Sequence, residues 1–188
     1  ILSGDTMLVK AYEQFIKLPE PLIKPALEIF NVTATGVCEG QQLDMNFEEL
    51  PHVSIDDYLE MIRLKTAVQI GAAMRLGSLI AGAPAEDQQQ LFDFGIYTGL
   101  LFQLRDDLLD TYCDSGTFCK NQYGDIVANK KTYLYLKALE HTSGRDRKKL
   151  AELYADPSID PSVKIKKVLR YFEDAGVKEH TEAKIREQ

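Results

Sequence analysis

The 188-residue sequence predicts an all-α protein. Apolar residues recur at helical spacing along nearly the whole chain, and no run of alternating β-branched residues competes with them. The breaks between periodic segments fall at proline, glycine and capping residues. A composition that is 45% hydrophobic and 27% charged suits one domain, 1–188, with a sizeable core.

The elements follow in order. Helices predicted over 5–18 and 21–38 are separated by Pro19 and Pro21. A loop over 39–53 leads to a long helix over 55–81, which Ser54 and Asp57 open with capping-box spacing and Gly82 and Pro84 close. The helix over 86–113 ends in acidic residues and gives way to a second loop over 114–128, "DSGTFCKNQYGDIVA". Helices over 129–142, 145–155, 161–175 and 178–187 complete the chain, with Asp160 and Pro161 as N-cap and N1 proline of the third. The sequence opens at Ile1 inside a helical pattern and closes in charged helix-like residues, so the bundle is expected to be incomplete at both ends.

A net charge of −7 argues against a nucleic-acid surface, which needs a basic patch, so any bound anion must be held by a few placed lysines or by metal ions. Cys38, Cys113 and Cys119 form no CxxC pair, which indicates neither a zinc site nor a disulfide framework and points to a reducing cytoplasm. No apolar stretch approaches the ~20 residues that span a bilayer, so stable membrane insertion is not expected.

The segment "FQLRDDLLD", 102–110, carries the chemistry. Steps of three and four from Asp106 reach Asp110 in one direction and Gln103, Gly99, Ile96 and Phe92 in the other, so one helical face runs from apolar residues through an amide into carboxylates. Asp107 lies beside that face. Carboxylates at a helix C-terminus oppose the macrodipole and call for a cation. A few carboxylates supplemented by water and phosphate oxygens suit Mg²⁺, and Lys120, Lys130 and Lys131 just beyond suit a phosphate. The plain alternative is a solvated helix end. Lys65, inside the 55–81 stripe and followed by Thr66, reads by itself as a snorkelling lysine.

These residues resemble, in order along the chain, the all-trans polyprenyl diphosphate synthases. "ILSGDTML" is similar to the helix start after that family's first aspartate-rich region, "GQQLD" (40–44) to its GQxxD segment, and Lys65 with Thr66 to its Lys-Thr pair. Phe102, Gln103, Asp106, Asp107 and Asp110 align with the second aspartate-rich motif, and Lys120, Gly124, Asp125, Lys130 and Thr132 with the lysine loop. Cys119 and Asn129 stand where glycine is common. The first DDxxD motif and the arginines that grip isopentenyl diphosphate would lie upstream of Ile1, so the resemblance covers the C-terminal part of a family member.

The resemblance implies an isoprenoid synthase helical bundle, usually a homodimer, that condenses an allylic diphosphate with isopentenyl diphosphate using Mg²⁺ (or Mn²⁺). It implies Asp106 as the main ligand of a third Mg²⁺, with Asp107 and Asp110 acting partly through water. Lys65, Lys120 and Lys130 would neutralise diphosphate oxygens, with Asp125 behind them. The Lys65 carbonyl, Thr66 hydroxyl and Gln103 oxygen would face the allylic cation, and Phe102 and Gln103 would contact substrate. Gly99, Ile96 and Phe92 either line a tunnel for the growing chain or pack closely on a neighbouring helix. With half an active site, the chain alone would be inactive. Two other readings stand beside this one: a non-catalytic truncated homologue serving as a partner subunit, and a class I terpene cyclase, whose (N/D)Dxx(S/T)xxxE motif is not met at Asp110 and Asp114.

Overall fold

A computed structural model describes residues 1–113 and 122–187. Every regular element among them is helical: α1 (Leu2–Phe15), α2 (Glu20–Glu49), α3 (Ile55–Ile62), a π-helical turn (Arg63–Ala67), α4 (Val68–Ile80), α5 (Ala85–Tyr112), α6 (Gly124–Val127), α7 (Tyr133–His141), α8 (Gly144–Ala155), α9 (Pro161–Asp174) and α10 (Val177–Glu187). The all-α prediction holds. The chain forms two compact units, one of Ile1–Gln41 with Arg63–Gly99, the other of Gln42–Ile62 with Leu100–Gln188.

In the first unit, α1 meets α2 through Tyr12 and Phe15, whose rings lie 5.1 and 4.9 Å from that of Phe30, and Tyr12 donates to Asn31 Oδ1 at 2.6 Å. The π turn and α4 approach α5 without intervening side chains. A Cβ on Gly99 would stand 2.4 Å from Ala67 Cα, and one on Gly95 2.5 Å from Gly71 Cα. Contact this close is open only to glycine and alanine, so the two helices lie backbone on backbone.

The same device corrects the loop predicted over 39–53. There α2 continues to Glu49. Gly40 reads in isolation as a helix stop, but a Cβ there would sit 2.4 Å from Lys65 N. The glycine is present for a neighbour's approach and the helix runs through it.

The second unit has a filled core. Leu104, Ile126, Leu134, Leu150, Val168, Phe172 and Val177 are at most 1% exposed. Helix α9 is its hub, touching α6, α7, α8 and α10, and α3 packs on α7. The predicted caps form: Asp57 N donates to Ser54 Oγ and Ser54 N to Asp57 Oδ2, both at 3.0 Å, and Asp160 Oδ1 accepts from Ser162 N and Val163 N. The helix predicted from 129 begins instead at Tyr133, because Asn129 takes φ +59° and Thr132 is the N-cap. The expectation of no disulfide is corrected at Cys113, which is disulfide-bonded, whereas Cys38 is a free thiol. The lack of a CxxC pair speaks to metal and redox motifs; it does not decide whether a thiol beside a loop finds a partner.

Candidate active site

The acidic motif occupies the last two turns of α5, and its three carboxylates meet different surroundings. Asp106 is exposed, and its carboxylate accepts no hydrogen bond among the described residues. Asp107 is 3% exposed. Its Oδ2 accepts from Tyr58 Oη on α3 at 2.5 Å and from Tyr133 N at the start of α7 at 3.3 Å, and its Oδ1 accepts from Gln103 Nε2 at 3.3 Å. Burial outweighs these donors and pushes the carboxyl up to about 7, with Asp125 adding repulsion. Asp107 thus ties α3, α5 and α7 together.

Asp110 is half-buried and anchors the segment after the acidic helix. Its Oδ1 accepts from Gly124 N at 3.1 Å, its Oδ2 from Asp125 N at 3.2 Å, and its carbonyl from Tyr123 N at 2.8 Å. Desolvation, then repulsion from Asp125, raises its carboxyl above the usual range. Among the described residues no three His, Cys, Asp or Glu side chains converge as a ready-made metal centre.

Lys130 Nζ pairs with Asp125 Oδ1 at 3.0 Å. The Asp125 hydrogen bond holds the ammonium above the ordinary lysine range, with Asp44 and Asp107 contributing. Asp44 is the last residue of the "GQQLD" segment and acts on Lys130 electrostatically. Lys131 is a correction to the expected phosphate ligands. Its Nζ donates to the carbonyls of Phe47 and Glu48, capping the C-terminal turn of α2, where burial lowers its affinity for a proton. Lys120 lies outside the described residues.

In the first unit, Lys65 and Thr66 sit half-buried in the π turn, and Gln69 Nε2 donates to the Lys65 carbonyl at 3.1 Å. Such turns add one residue per turn and often mark functional sites. Of the two roles open for Gly99, the contact with Ala67 supports close packing. Phe92 instead helps line an apolar groove of about 720 Å³, with Ile29, Val32, Leu64 and Val68. Phe102 is 60% exposed.

Sequence reasoning missed Tyr58, which binds Asp107. A tyrosine on the buried stripe of a helix reads as core, and nothing in its spacing reports a carboxylate opposite.

The fit to a divalent cation can be judged from the donor set. Asp44, Asp107, Asp110 and Asp125 lie within electrostatic reach of Lys130, and Asp106 stands exposed next to Asp107 in the chain; these are hard oxygen donors of the kind Mg²⁺ takes together with water. Fold and site define an all-α protein whose acidic helix end carries the exposed Asp106 and whose following segment carries Lys130 paired with Asp125. The polyprenyl synthetase family model matches residues 1–172. This chain belongs to that family. It is 36% identical over 184 residues to a short chain isoprenyl diphosphate synthase of Methanothermobacter thermautotrophicus, covering 97% of this chain and 56% of that protein. A crystal structure of a geranylgeranyl pyrophosphate synthase aligns at 40% identity and TM-score 0.90, covering 99% of this chain and 58% of that one. A geranylgeranyl pyrophosphate synthetase from Pyrococcus horikoshii aligns at 26% identity and TM-score 0.89, covering 100% and 57%. The chain thus spans little more than half the length of these relatives. No described helix is long and apolar enough to cross a membrane.

Proposed function

We propose that this chain supplies the second metal-carboxylate face and the lysine loop of a chain-elongating prenyltransferase, which joins an allylic diphosphate head to tail with isopentenyl diphosphate and releases diphosphate. The observation that carries the reading is the division of labour at the acidic helix end. Asp107 and Asp110 are engaged with the fold, while Asp106 is left facing solvent at the point where the helix dipole is negative. An exposed carboxylate one residue before the anchored Asp107 and one helical turn before the anchored Asp110 is held by a rigid support, which is what a metal ligand needs.

Asp106 would hold Mg²⁺ directly, and the Asp110 oxygens would reach it directly or through water. When bound, Mg²⁺ supplies charge neutralisation for diphosphate oxygens. Lys130 binds those oxygens as well, and Asp125 keeps the Lys130 ammonium protonated and oriented. The Gln103 amide oxygen faces the allylic carbon as a dipole that stabilises positive charge there. The apolar groove beside Phe92, taken by itself, has the lining to hold a hydrocarbon chain. A homodimer fits the exposure of Leu2, Met7, Leu8 and Val9 on α1, a helix with no buried residue. Because the chain spans little more than half the length of its relatives, we propose that it does not complete the reaction alone.

Calorimetric titration of the chain with inorganic diphosphate, with and without Mg²⁺, tests the first part. Binding that requires Mg²⁺ and is lost in Asp106→Ala is expected, and metal-independent or Asp106-independent binding would overturn the metal role. Incubation with Mg²⁺, farnesyl diphosphate and labelled isopentenyl diphosphate tests the second part, where turnover by the chain alone would refute it.

A further inference from the structure

Lys164, on α9, carries an ammonium group yet is 3% exposed. Burying such a charge is costly unless it is well met by oxygen atoms. Its Nζ donates to the Tyr154 carbonyl at 2.7 Å and to Asn129 Oδ1, and it lies 5.2 Å from the centroid of the Tyr154 ring. The Tyr154 carbonyl is one of the last four of α8, so this contact also answers the helix C-terminal dipole. Helix capping does not explain the second contact.

Asn129 has φ +59°, in the left-handed region that glycine enters without cost and asparagine enters more readily than most. It immediately precedes Lys130. The Lys130 carbonyl accepts from Tyr154 Oη at 2.8 Å, and its N–H donates to the Asp125 carbonyl at 3.0 Å. Tyr154 is itself fixed by stacking on Tyr135, centroids 3.9 Å apart. The two residues of the turn are therefore each gripped from the α8 and α9 side, Asn129 by Lys164 and Lys130 by Tyr154.

We propose that Lys164 is a positioning residue for Lys130. By holding the Asn129 side chain it stabilises the left-handed turn and so sets the direction in which the Lys130 ammonium points, beside Asp125 at the end of the acidic helix. This role rests on the reading of Lys130 as a diphosphate ligand. Lys164 touches neither metal nor substrate.

The test compares wild type, Lys164→Met, Asn129→Gly and the double variant, by titration with inorganic diphosphate and Mg²⁺, by the backbone amide NMR signals of Asn129 and Lys130, and by thermal unfolding. Loss of one charge-assisted hydrogen bond predicts about tenfold weaker diphosphate binding in Lys164→Met. The Asn129 and Lys130 amide signals should shift or broaden with it. Glycine holds the turn unaided, so the double variant should recover both affinity and the Lys130 amide signal while keeping the lowered melting temperature of the uncapped α8. A lysine that only caps α8 would lower the melting temperature and leave the signals in place, or cause a loss that glycine does not rescue; either result overturns the proposal. If wild type binds no diphosphate with Mg²⁺, the reading of Lys130 falls and this role falls with it. If wild type binds and Lys164→Met binds equally, only the role of Lys164 falls.

Discussion

The two units hold their helices together in opposite ways. In the first, side chains are removed where helices meet: Gly40 lies on Lys65, Gly95 on Gly71, and Gly99 on Ala67. In the second, space is filled by large apolar residues around α9, and polar side chains are knotted into the core, with Asp107 bound by Tyr58, Gln103 and Tyr133 and Asp110 by Gly124 and Asp125. Backbone contact tolerates no added atom but is indifferent to pH. A buried carboxylate network tolerates changes of shape and is sensitive to protons and to the loss of one partner. Packing in the first unit and polarity in the second should therefore fail under different perturbations.

The largest effect is expected from Gly99→Val, whose first added atom meets the Ala67 backbone at 2.4 Å. Destabilisation of about 3 kcal/mol or more is expected in chemical unfolding followed by circular dichroism. A change below about 1 kcal/mol would show that the helices part easily and that the contrast between the units is overstated.

Alanine at each acidic position sharpens the contrast within α5. Asp107→Ala leaves the buried Tyr58 hydroxyl without its acceptor, and Asp110→Ala strands two backbone N–H groups, so losses of about 2 kcal/mol are expected from each. Asp106→Ala should change stability by no more than about 0.5 kcal/mol while abolishing Mg²⁺-dependent diphosphate binding. Equal stability losses at all three positions would contradict the division of labour described above.

The pH response of Asp107 is smaller and has a definite sign. In the unfolded chain its carboxyl loses its proton near 3.8, whereas the folded protein retains it to about 7. The folded state therefore binds more protons between these values, and its stability falls as pH rises through that window. Urea unfolding of Asp107→Asn in metal-free buffer should show a flatter profile from about pH 4 to 7 than wild type. A parallel profile would mean that the Asp107 carboxyl is ionised throughout.

The smallest effect belongs to the surface. Ser54→Ala removes one side of the capping box of α3 and should cost about 1 kcal/mol in the same unfolding experiment. Loss of the exposed Lys10–Glu13 pair, 2.9 Å apart, should cost less than about 0.5 kcal/mol.

The contrast between the units also explains what the sequence could disclose. Helix existence was legible because periodicity and caps are local: Ser54 with Asp57 and Asp160 with Pro161 form the structures their spacing predicts. The end of α2 was not legible, because whether Gly40 stops a helix or admits a neighbour depends on Lys65, far along the chain. The π turn at Lys65 and Thr66 likewise interrupts an unbroken apolar stripe. At the acidic motif, residue type and order were readable, but the separate fates of Asp106, Asp107 and Asp110 depend on Tyr58, Tyr133 and Gly124 from other elements. Lys131 looked equivalent to Lys130 and differs only because the end of α2 lies within its reach.

The glycine contacts also constrain inheritance. Any non-synonymous change in a glycine codon adds side-chain atoms, since no smaller residue exists. At Gly40, Gly95 and Gly99 each such change drives an atom into a neighbouring backbone, whereas at Gly4 and Gly77 it meets nothing within 4 Å. In a saturation library of this gene, the first three codons should return the parental residue almost alone and the last two should drift freely, so a map of tolerated alleles would trace where the helices touch.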